Sequence, residues 1–242
     1  MEKKVYERHI INQKKHWWFS VRRKLISQFI KKYSKKRTLK ILDYGCGSGT
    51  NINSLSKFGQ VHCYEKDKKT SNYLSSEYRD NKKVFILKKI KKTIKYDYII
   101  LADVLEHIKN DDLALKNLKN LLNYQGKILI TVPAYNFLFS KKDEVLKHFR
   151  RYNYSQIYKV VSKYFDIQRI SFFNTLLFIP ISIITLIFKI LKINYIENVE
   201  NTPNKLVNNL LHFIFSIELF FLKYIDFPFG VSIIIVGEKK TF

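Results

Sequence analysis

The sequence LKILDYGCGSGTN at residues 39–51 joins an apolar run to a glycine-rich turn. The apolar run predicts a buried β-strand that ends near Asp43. Gly45, Gly47 and Gly49 allow the backbone to turn tightly and to approach a ligand, and a helix that begins there offers free N–H groups to an anionic group. The segment therefore predicts a strand–loop–helix unit that binds a ligand.

An acidic residue stands at the end of the next predicted strand. Glu65 follows Gly45 by twenty residues, at the end of residues 60–65. A carboxylate at this offset can accept hydrogen bonds from both ribose hydroxyls of a nucleotide-like cofactor. The dinucleotide fingerprint G-x-G-x-x-G would place a third glycine where Thr50 stands, so the spacing here is G-x-G-x-G instead.

Strand and helix patterns alternate through most of the chain. We predict strands at residues 39–45, 60–65, 83–87, 96–102, 127–133, 165–173 and 231–239, and helices at 17–33, 50–58, 70–79, 111–123 and 155–164. This alternation predicts an α/β fold with a Rossmann-like, doubly wound, seven-stranded and mainly parallel sheet. The predicted fold also has an N-terminal helix and an apolar helical insertion before the last strand.

The apolar insertion departs from the α/β rhythm. Residues 170–188 contain no charged side chain but include Pro180, and a second apolar segment covers 206–222. Two helices joined by the polar stretch 194–205 could pack on the domain, lie in a membrane interface or span a bilayer. The predicted organisation is a basic helical cap (1–38), a binding core (39–173), the apolar insertion (174–225) and the last core strand (226–242).

Composition limits the classes of protein. The 242 residues are 46% hydrophobic, which excludes general disorder, and two cysteines exclude a disulfide scaffold. The net charge is +24, and residues 1–40 carry ten Lys, four Arg and two Glu. Such charge can be a solvated lysine surface, or it can attract anionic lipid or nucleic acid. The charged start MEKKVYERH predicts no signal peptide, and we expect a cytoplasmic protein or one peripheral to the inner membrane face.

Several motifs together resemble one enzyme family. The G-x-G-x-G loop after Asp43 resembles motif I of class I S-adenosylmethionine (SAM) methyltransferases. DYIILADVLEHIKND (97–111) resembles the fourth-strand motif of the ubiquinone-biosynthesis O-methyltransferases. GKILITVPAYNFLFSKKDEVLKHFRRY (126–152) is similar to a bacterial type-11/type-23 methyltransferase group, as are HWWFSVRRKLI (16–26) and PFGVSIII (228–235).

The resemblance implies SAM as the cofactor. The loop would hold its methionine part, Asp43 would orient it, Glu65 would bind the ribose and Arg22 would reach the carboxylate, unless Arg22 is a surface charge. Residues 87–95 lack the acid that binds the adenine amino group in many relatives. The implied cofactor-binding residues are Arg22, Asp43, Gly45, Cys46, Gly47, Gly49, Asn51, Glu65, Lys66, Ala102 and Asp103.

Catalytic and acceptor-binding candidates come from the loops after the fourth and fifth strands. His148 and His107 are candidate general bases, although His107 could be a capping or packing residue, and Asp103 lies beside the expected sulfonium. Adjacent arginines with a tyrosine suit a phosphate group, although they could be surface charges, and Trp18 could fill the core. The candidate acceptor-binding residues are Asp143, Arg150, Arg151, Tyr152 and Trp18, and we predict no bound metal.

The sequence therefore predicts a SAM-dependent methyltransferase. Its acceptor is expected to be a small-molecule, lipid-linked or glycan-related compound that offers a hydroxyl group. Nucleic-acid methylation is an unfavoured alternative, because Ala102-Asp103-Val104-Leu105 stands where base-amino methylases carry Asn/Asp-Pro-Pro-aromatic. A second alternative is a non-catalytic, membrane-associated scaffold, which would not need the glycines of the loop.

Overall fold

The computed structural model describes residues 15–191 and 202–241. Its first long helix, α1, runs over Trp17–Tyr33 and buries Val21, Leu25 and Phe29, which recur every four residues on one face. The His16 side chain caps the helix by accepting a hydrogen bond from the backbone of Trp18. Most of the predicted cap before this helix, residues 1–14, lies outside the described residues.

Strands and helices then alternate as the sequence predicts. The elements are β1 (Leu39–Tyr44), α2 (Ile52–Leu55), β2 (Gly59–Tyr64), α3 (Lys68–Glu77), β3 (Val84–Leu87), β4 (Tyr96–Ala102), α4 (Asp111–Lys119), β5 (Leu122–Pro133), α5 (Lys141–Val145), α6 (Tyr154–Ser162), β6 (Phe165–Phe173), α7 (Phe178–Ile190), α8 (Lys205–Phe221) and β7 (Ser232–Lys239), with 3₁₀ helices at Leu105–His107 and Asn136–Leu138.

The seven strands form one sheet in the order β3-β2-β1-β4-β5-β7-β6. β1 to β5 pair in parallel, and β7 runs antiparallel to both of its neighbours. The fold class is therefore confirmed. The strand order reverses between β1 and β4, and in an open α/β sheet such a switch point is where ligands bind.

Two apolar layers cover the sheet. Phe29 of α1 and Phe215 of α8 belong to the core on one face, together with Ile41 of β1. Leu115 of α4 and Ile157 of α6 belong to the core on the other face. The central strands are thus buried on both sides, which is typical of parallel sheets and explains their near-continuous apolar sequences.

The insertion consists of α7 and α8, and the linking residues 192–201 lie outside the described residues. α8 is docked on α1, because Trp17 N donates to Asn208 Oδ1 at 2.9 Å and Gln28 Nε2 donates to the Leu219 carbonyl at 3.1 Å. Within residues 15–191 and 202–241, the structure has no helix long and apolar enough to cross a bilayer.

The largest differences from the predicted boundaries are at α2, α4 and β5. The helix after the glycine loop is a single turn, Ile52–Leu55, rather than 50–58, and α4 ends at Lys119 rather than residue 123. The second difference arises because Leu122 already pairs with Tyr96, so the chain leaves α4 earlier and β5 is longer than predicted. The local pattern of apolar residues cannot predict this pairing between strands.

Candidate active site

The glycine loop after β1 is packed at its two ends and open in the middle. Gly45, Gly47 and Gly49 have φ values of +70°, +54° and +87°. A Cβ at Gly45 would lie 2.8 Å from Val104 Cγ1, and one at Gly49 would lie 2.8 Å from Leu74 Cδ2. A Cβ at Gly47 would meet no described atom within 4 Å. The loop thus presents bare backbone to an open space.

Glu65, at the end of β2, holds this loop in place. Its carboxylate accepts hydrogen bonds from Gly47 N and from Asp67 N, both at 2.9 Å. The structure therefore brings Glu65 and the glycine loop together, as the sequence predicts. Lys66 follows directly and is exposed at the same edge, while Cys46 is buried under the loop.

Asp43 lies beneath the loop, and one of its carboxylate oxygens makes no hydrogen bond to the described residues. Its side chain is 1% exposed, and its Oδ2 has no hydrogen-bond partner among the described residues. Burial raises the pKa of Asp43 to about 7, an effect that Arg22 opposes and Glu65 reinforces. The buried Asn51 Oδ1 is likewise without a described partner. Such acceptors beside open backbone suit a ligand that carries N–H or O–H donors.

Arg22 reaches this edge from α1 and pairs with Asp103 at the end of β4. The Asp103 carboxylate also accepts from Thr131 Oγ1 at 2.7 Å, and its backbone has φ +56°. Arg22 is only 5% exposed, so the alternative of a surface charge is wrong. The Arg22–Asp103 pair borders the switch-point edge on the side of α1. Ala102, which precedes Asp103, is half-buried.

Two histidines meet at the same edge from different loops. His107 ends the 3₁₀ helix after β4, His148 lies between α5 and α6, and their ring centroids are 4.5 Å apart at an interplanar angle of 83°. Partial desolvation of its ring and the neighbouring His148 lower the pKa of His107. The fold thus joins two candidate bases that are forty-one residues apart in sequence.

Asp143 orients His148. The buried Asp143 carboxylate accepts from His148 Nδ1 at 2.8 Å, from Arg151 Nε and Nη2 at 2.9 Å each, and from Ser140 N at 2.9 Å. Although burial raises it, these hydrogen bonds hold the pKa of Asp143 well below its usual range. With Nδ1 engaged, Nε2 is the ring nitrogen of His148 that can meet a ligand.

The paired arginines bind different carboxylates. Arg150 Nη1 donates to Asp111 Oδ2 at 2.9 Å, and Tyr152 donates to the same oxygen at 2.8 Å, whereas Arg151 binds Asp143. Each arginine of the predicted phosphate site thus forms its own ion pair, and the two pairs fasten the loop after β5. Spacing along the chain did not reveal Asp111 as a partner.

Trp18 packs inside an aromatic cluster. Its ring stacks on Phe173 at 5.8 Å and on Phe215 at 5.5 Å, between centroids. Phe173 is the last residue of β6, so Trp18 joins α1 to α8 near the carboxyl edge. These contacts agree with the core-filling alternative for Trp18.

Sequence reasoning missed one residue of this edge. Glu106 is fully buried, and neither carboxylate oxygen has a hydrogen-bond partner within the described ranges. Burial and nearby Asp103 raise the pKa of Glu106 well above its usual value. Its place beside His107 in LEHI is visible in the sequence, but nothing in that motif indicates that Glu106 is fully buried.

This strand order, with an antiparallel β7 and a glycine loop at the switch point, defines an α/β fold of the class I methyltransferase type. The family described as "Methyltransferase domain" matches residues 18–174. The match covers 157 of the 242 residues, and the chain belongs to this family.

Two curated relatives share part of the sequence. An uncharacterized protein of Methanocaldococcus jannaschii is 26% identical over 169 residues, or 64% of this chain. A ubiquinone biosynthesis O-methyltransferase of Glaesserella parasuis is 30% identical over 125 residues, or 45% of this chain. The chain spans 66% and 53% of the lengths of these relatives.

Solved structures show the same fold at low identity. A proposed methyltransferase of Bacillus halodurans is 14% identical, with a TM-score of 0.58 over 90% of this chain and 99% of that one. Phosphoethanolamine N-methyltransferase 2 of Haemonchus contortus, in complex with S-adenosyl-L-methionine, is 18% identical, with a TM-score of 0.55 over 90% of this chain and 52% of that one. At such identities, the likeness concerns the fold.

Proposed function

We propose that the chain transfers a methyl group from SAM to a hydroxyl group of a small-molecule, lipid-linked or glycan-related acceptor. The observation that carries the proposal is the switch-point edge itself. Buried Asp43 offers an unused acceptor among the described residues, beside the open face of Gly47 and the Glu65 carboxylate. A scaffold that binds no ligand would gain nothing from this arrangement, because an unpartnered buried carboxyl group costs free energy.

These residues fit SAM. When bound, SAM supplies a methyl group activated by attachment to a positively charged sulfur. Asp43 would accept hydrogen bonds from the ligand side of the loop, and Glu65 would exchange its hydrogen bond with Gly47 for the ribose hydroxyls. Arg22 would attract the cofactor carboxylate from beside Asp103. The SAM complex of the Haemonchus contortus enzyme supports this cofactor.

The histidine pair is the proposed place of acceptor activation. A hydroxyl must lose its proton as it accepts a methyl group, and a positioned group that promotes this loss contributes about 10²–10⁴-fold to the rate. His107 follows Asp103 by four residues, His148 packs against His107, and Asp143 binds Nδ1 of the His148 ring. The O-methyltransferase relative supports a hydroxyl acceptor.

His148→Ala tests the catalytic role. We expect this variant to lower turnover by about 10²-fold while SAM affinity stays within about threefold, because the His148 ring contacts His107 and Asp143 rather than the glycine loop. Turnover is measured as S-adenosylhomocysteine release with envelope lipid and glycan extracts as acceptors. His212→Ala on α8 is the matched control and should keep wild-type turnover. An unchanged rate in His148→Ala would remove His148 from the catalytic site.

A further inference from the structure

We propose that Glu106, His107 and His148 form a binding site for a divalent transition-metal ion at the acceptor side of the active site. The sequence analysis predicted no metal. Two of these residues are neighbours in LEHI, and the third lies far along the chain. The fold brings them together. The binding site stands on its own geometry, and only its catalytic role rests on the proposed function.

The three side chains are close enough to share one ion. Each offers one ligand atom, a carboxylate oxygen or a ring nitrogen, and these atoms all lie within 4.8 Å of one another. Bonds from Zn²⁺ to nitrogen and oxygen ligands are about 2.0–2.2 Å long, so two ligands of a tetrahedral ion are about 3.3–3.6 Å apart. Small side-chain rotations would therefore complete the coordination.

Glu106 lacks the partner that its burial requires. It is 0% exposed, and neither of its carboxylate oxygens has a hydrogen-bond partner in the part of the chain that the structure describes. Burying an unpaired carboxylate is costly, whereas a carboxylate that coordinates a cation is compensated. A cation beside His107 would supply this missing partner.

His148 is already oriented as a metal ligand would be. Its Nδ1 binds the Asp143 carboxylate at 2.8 Å, and Arg151 and Ser140 hold that carboxylate in turn. Histidines that ligate metals usually bind a carboxylate or carbonyl through the other ring nitrogen, which fixes the ring and raises its basicity. His107 is exposed, so it provides a path for the ion from solvent.

The ligand set indicates the class of ion. Two imidazoles and one carboxylate suit first-row ions such as Zn²⁺, Mn²⁺ or Fe²⁺, whereas Mg²⁺ and Ca²⁺ prefer all-oxygen sites. Three protein ligands leave an open position, which is typical of catalytic sites. An acceptor hydroxyl that coordinates there would have a lower pKa and would release its proton to solvent. The histidines would then activate the acceptor through the ion.

The test uses the metal alone. The untagged, chelator-treated full chain is titrated with Zn²⁺ by calorimetry and with Co²⁺ by visible absorption, which reports the coordination. We expect one ion per chain with a micromolar or tighter Kd, and a higher thermal midpoint in its presence. A folded chain that binds neither ion would overturn the proposal.

Matched variants locate the site. His148→Ala and the near-isosteric Glu106→Gln should each weaken binding by at least about tenfold, whereas His212→Ala should bind like the wild type. Circular dichroism checks that each variant is folded. Glu106→Gln keeps the proposal testable if His148→Ala does not fold, since the amide fills the same buried space. Equal affinity in the wild type and Glu106→Gln would place the ion elsewhere and overturn the proposal.

The proposed function is tested separately by titration with S-adenosylhomocysteine in the absence of metal. A chain that binds Zn²⁺ but not S-adenosylhomocysteine would retain the metal site and contradict the methyltransferase proposal. A chain that binds S-adenosylhomocysteine but neither ion would support the cofactor site and overturn the metal site.

Discussion

Asp43 is a buried carboxyl group whose charge state matters for binding. Its pKa is raised to about 7 because burial disfavours the carboxylate more than Arg22 favours it. A carboxyl group with a folded pKa above its unfolded value takes up protons on folding, so this group makes the ligand-free protein less stable as pH rises from about 4 to about 7. A ligand that donates hydrogen bonds to the ionised group would reverse part of this cost.

The affinity for S-adenosylhomocysteine should therefore depend on pH. If the ligand binds the ionised form of Asp43, affinity falls as pH drops through about 7, by about tenfold between about pH 8 and about pH 6. Calorimetric titration at both pH values measures this change. Asp43→Asn should bind weakly and with little pH dependence. Equal wild-type affinities at the two pH values would show that the Asp43 proton is not linked to binding.

At the scale of elements, α8 is attached to the end of β6 by a buried carboxylate. Glu218 is fully buried and accepts hydrogen bonds from the backbone N–H groups of Asn174, Thr175 and Leu176. These N–H groups follow β6, where the chain turns into α7, and Asn174 itself has φ +58°. One side chain of the insertion thus satisfies three donors at the carboxyl edge of the sheet.

Glu218→Ala should be strongly destabilising. The substitution leaves three backbone N–H groups, two of them buried, without their acceptor and removes packing, so we expect the free energy of unfolding to fall by about 3 kcal/mol. Urea denaturation followed by tryptophan fluorescence measures the change, since Trp17 and Trp18 contact α8. The exposed Glu144→Ala is the control and should change stability by less than about 0.5 kcal/mol. A decrease in the free energy of unfolding as small as that of the control would show that Glu218 does not stabilise the attachment of α8 to the end of β6.

The elements that the sequence predicted well are those with strong local patterns. β1, β4, β6 and β7 are largely apolar runs, and a glycine turn marks the end of β1, so their positions follow from the local sequence. The beginning of β5 was missed because it depends on the pairing of Leu122 with Tyr96. Element ends that are set by a neighbouring strand cannot be obtained from periodicity alone.

Some residues of the candidate site were predictable from local sequence and others were not. The glycine loop and Glu65 are local signals at strand ends, and the structure places them together. The partners of Arg150 and Arg151 were not predictable, because Asp111 and Asp143 approach them from other elements. Burial of Glu106 is likewise a property of the assembled fold, and burial decides which polar side chains lack a partner.

At the scale of the whole molecule, α7 and α8 present unusually apolar surfaces. The exposed side chains recur at helical spacing on each helix. They are Ile179, Ile183, Ile187 and Ile190 on α7, and Leu206, Leu210, Phe213 and Phe220 on α8. Exposed apolar stripes on a strongly basic protein favour contact with an anionic membrane surface, and we propose that the acceptor is reached there.

Flotation with anionic liposomes tests this contact. We expect the wild type to float with the vesicles, because apolar burial and lysine attraction act together, and Ile183→Asn/Ile187→Asn to float at least about threefold less. Leu113→Asn on α4, also an exposed apolar residue, is the control and should float like the wild type. A wild-type protein that stays at the bottom of the gradient would contradict the membrane contact while leaving the cofactor site untouched.

The N-terminal helix α1, the sheet and the insertion helix α8 meet near the carboxyl edge of the sheet. α1 delivers Arg22 to Asp103, α8 holds α1 through Asn208 and Phe215, and the glycine loop lies between them. Packing far from the loop therefore contributes to its order. This edge is the proposed binding site of the cofactor.

Calorimetric titration of the purified chain with S-adenosylhomocysteine tests binding at this edge. We predict a Kd in the micromolar range for the wild type and for the exposed control Glu77→Ala. The double variant Gly47→Arg/Glu65→Ala should lose at least about 10²-fold in affinity, because the new side chain fills the open space above the loop and the ribose acceptor is gone. No binding by the folded wild type, or equal binding by the double variant, would contradict the account.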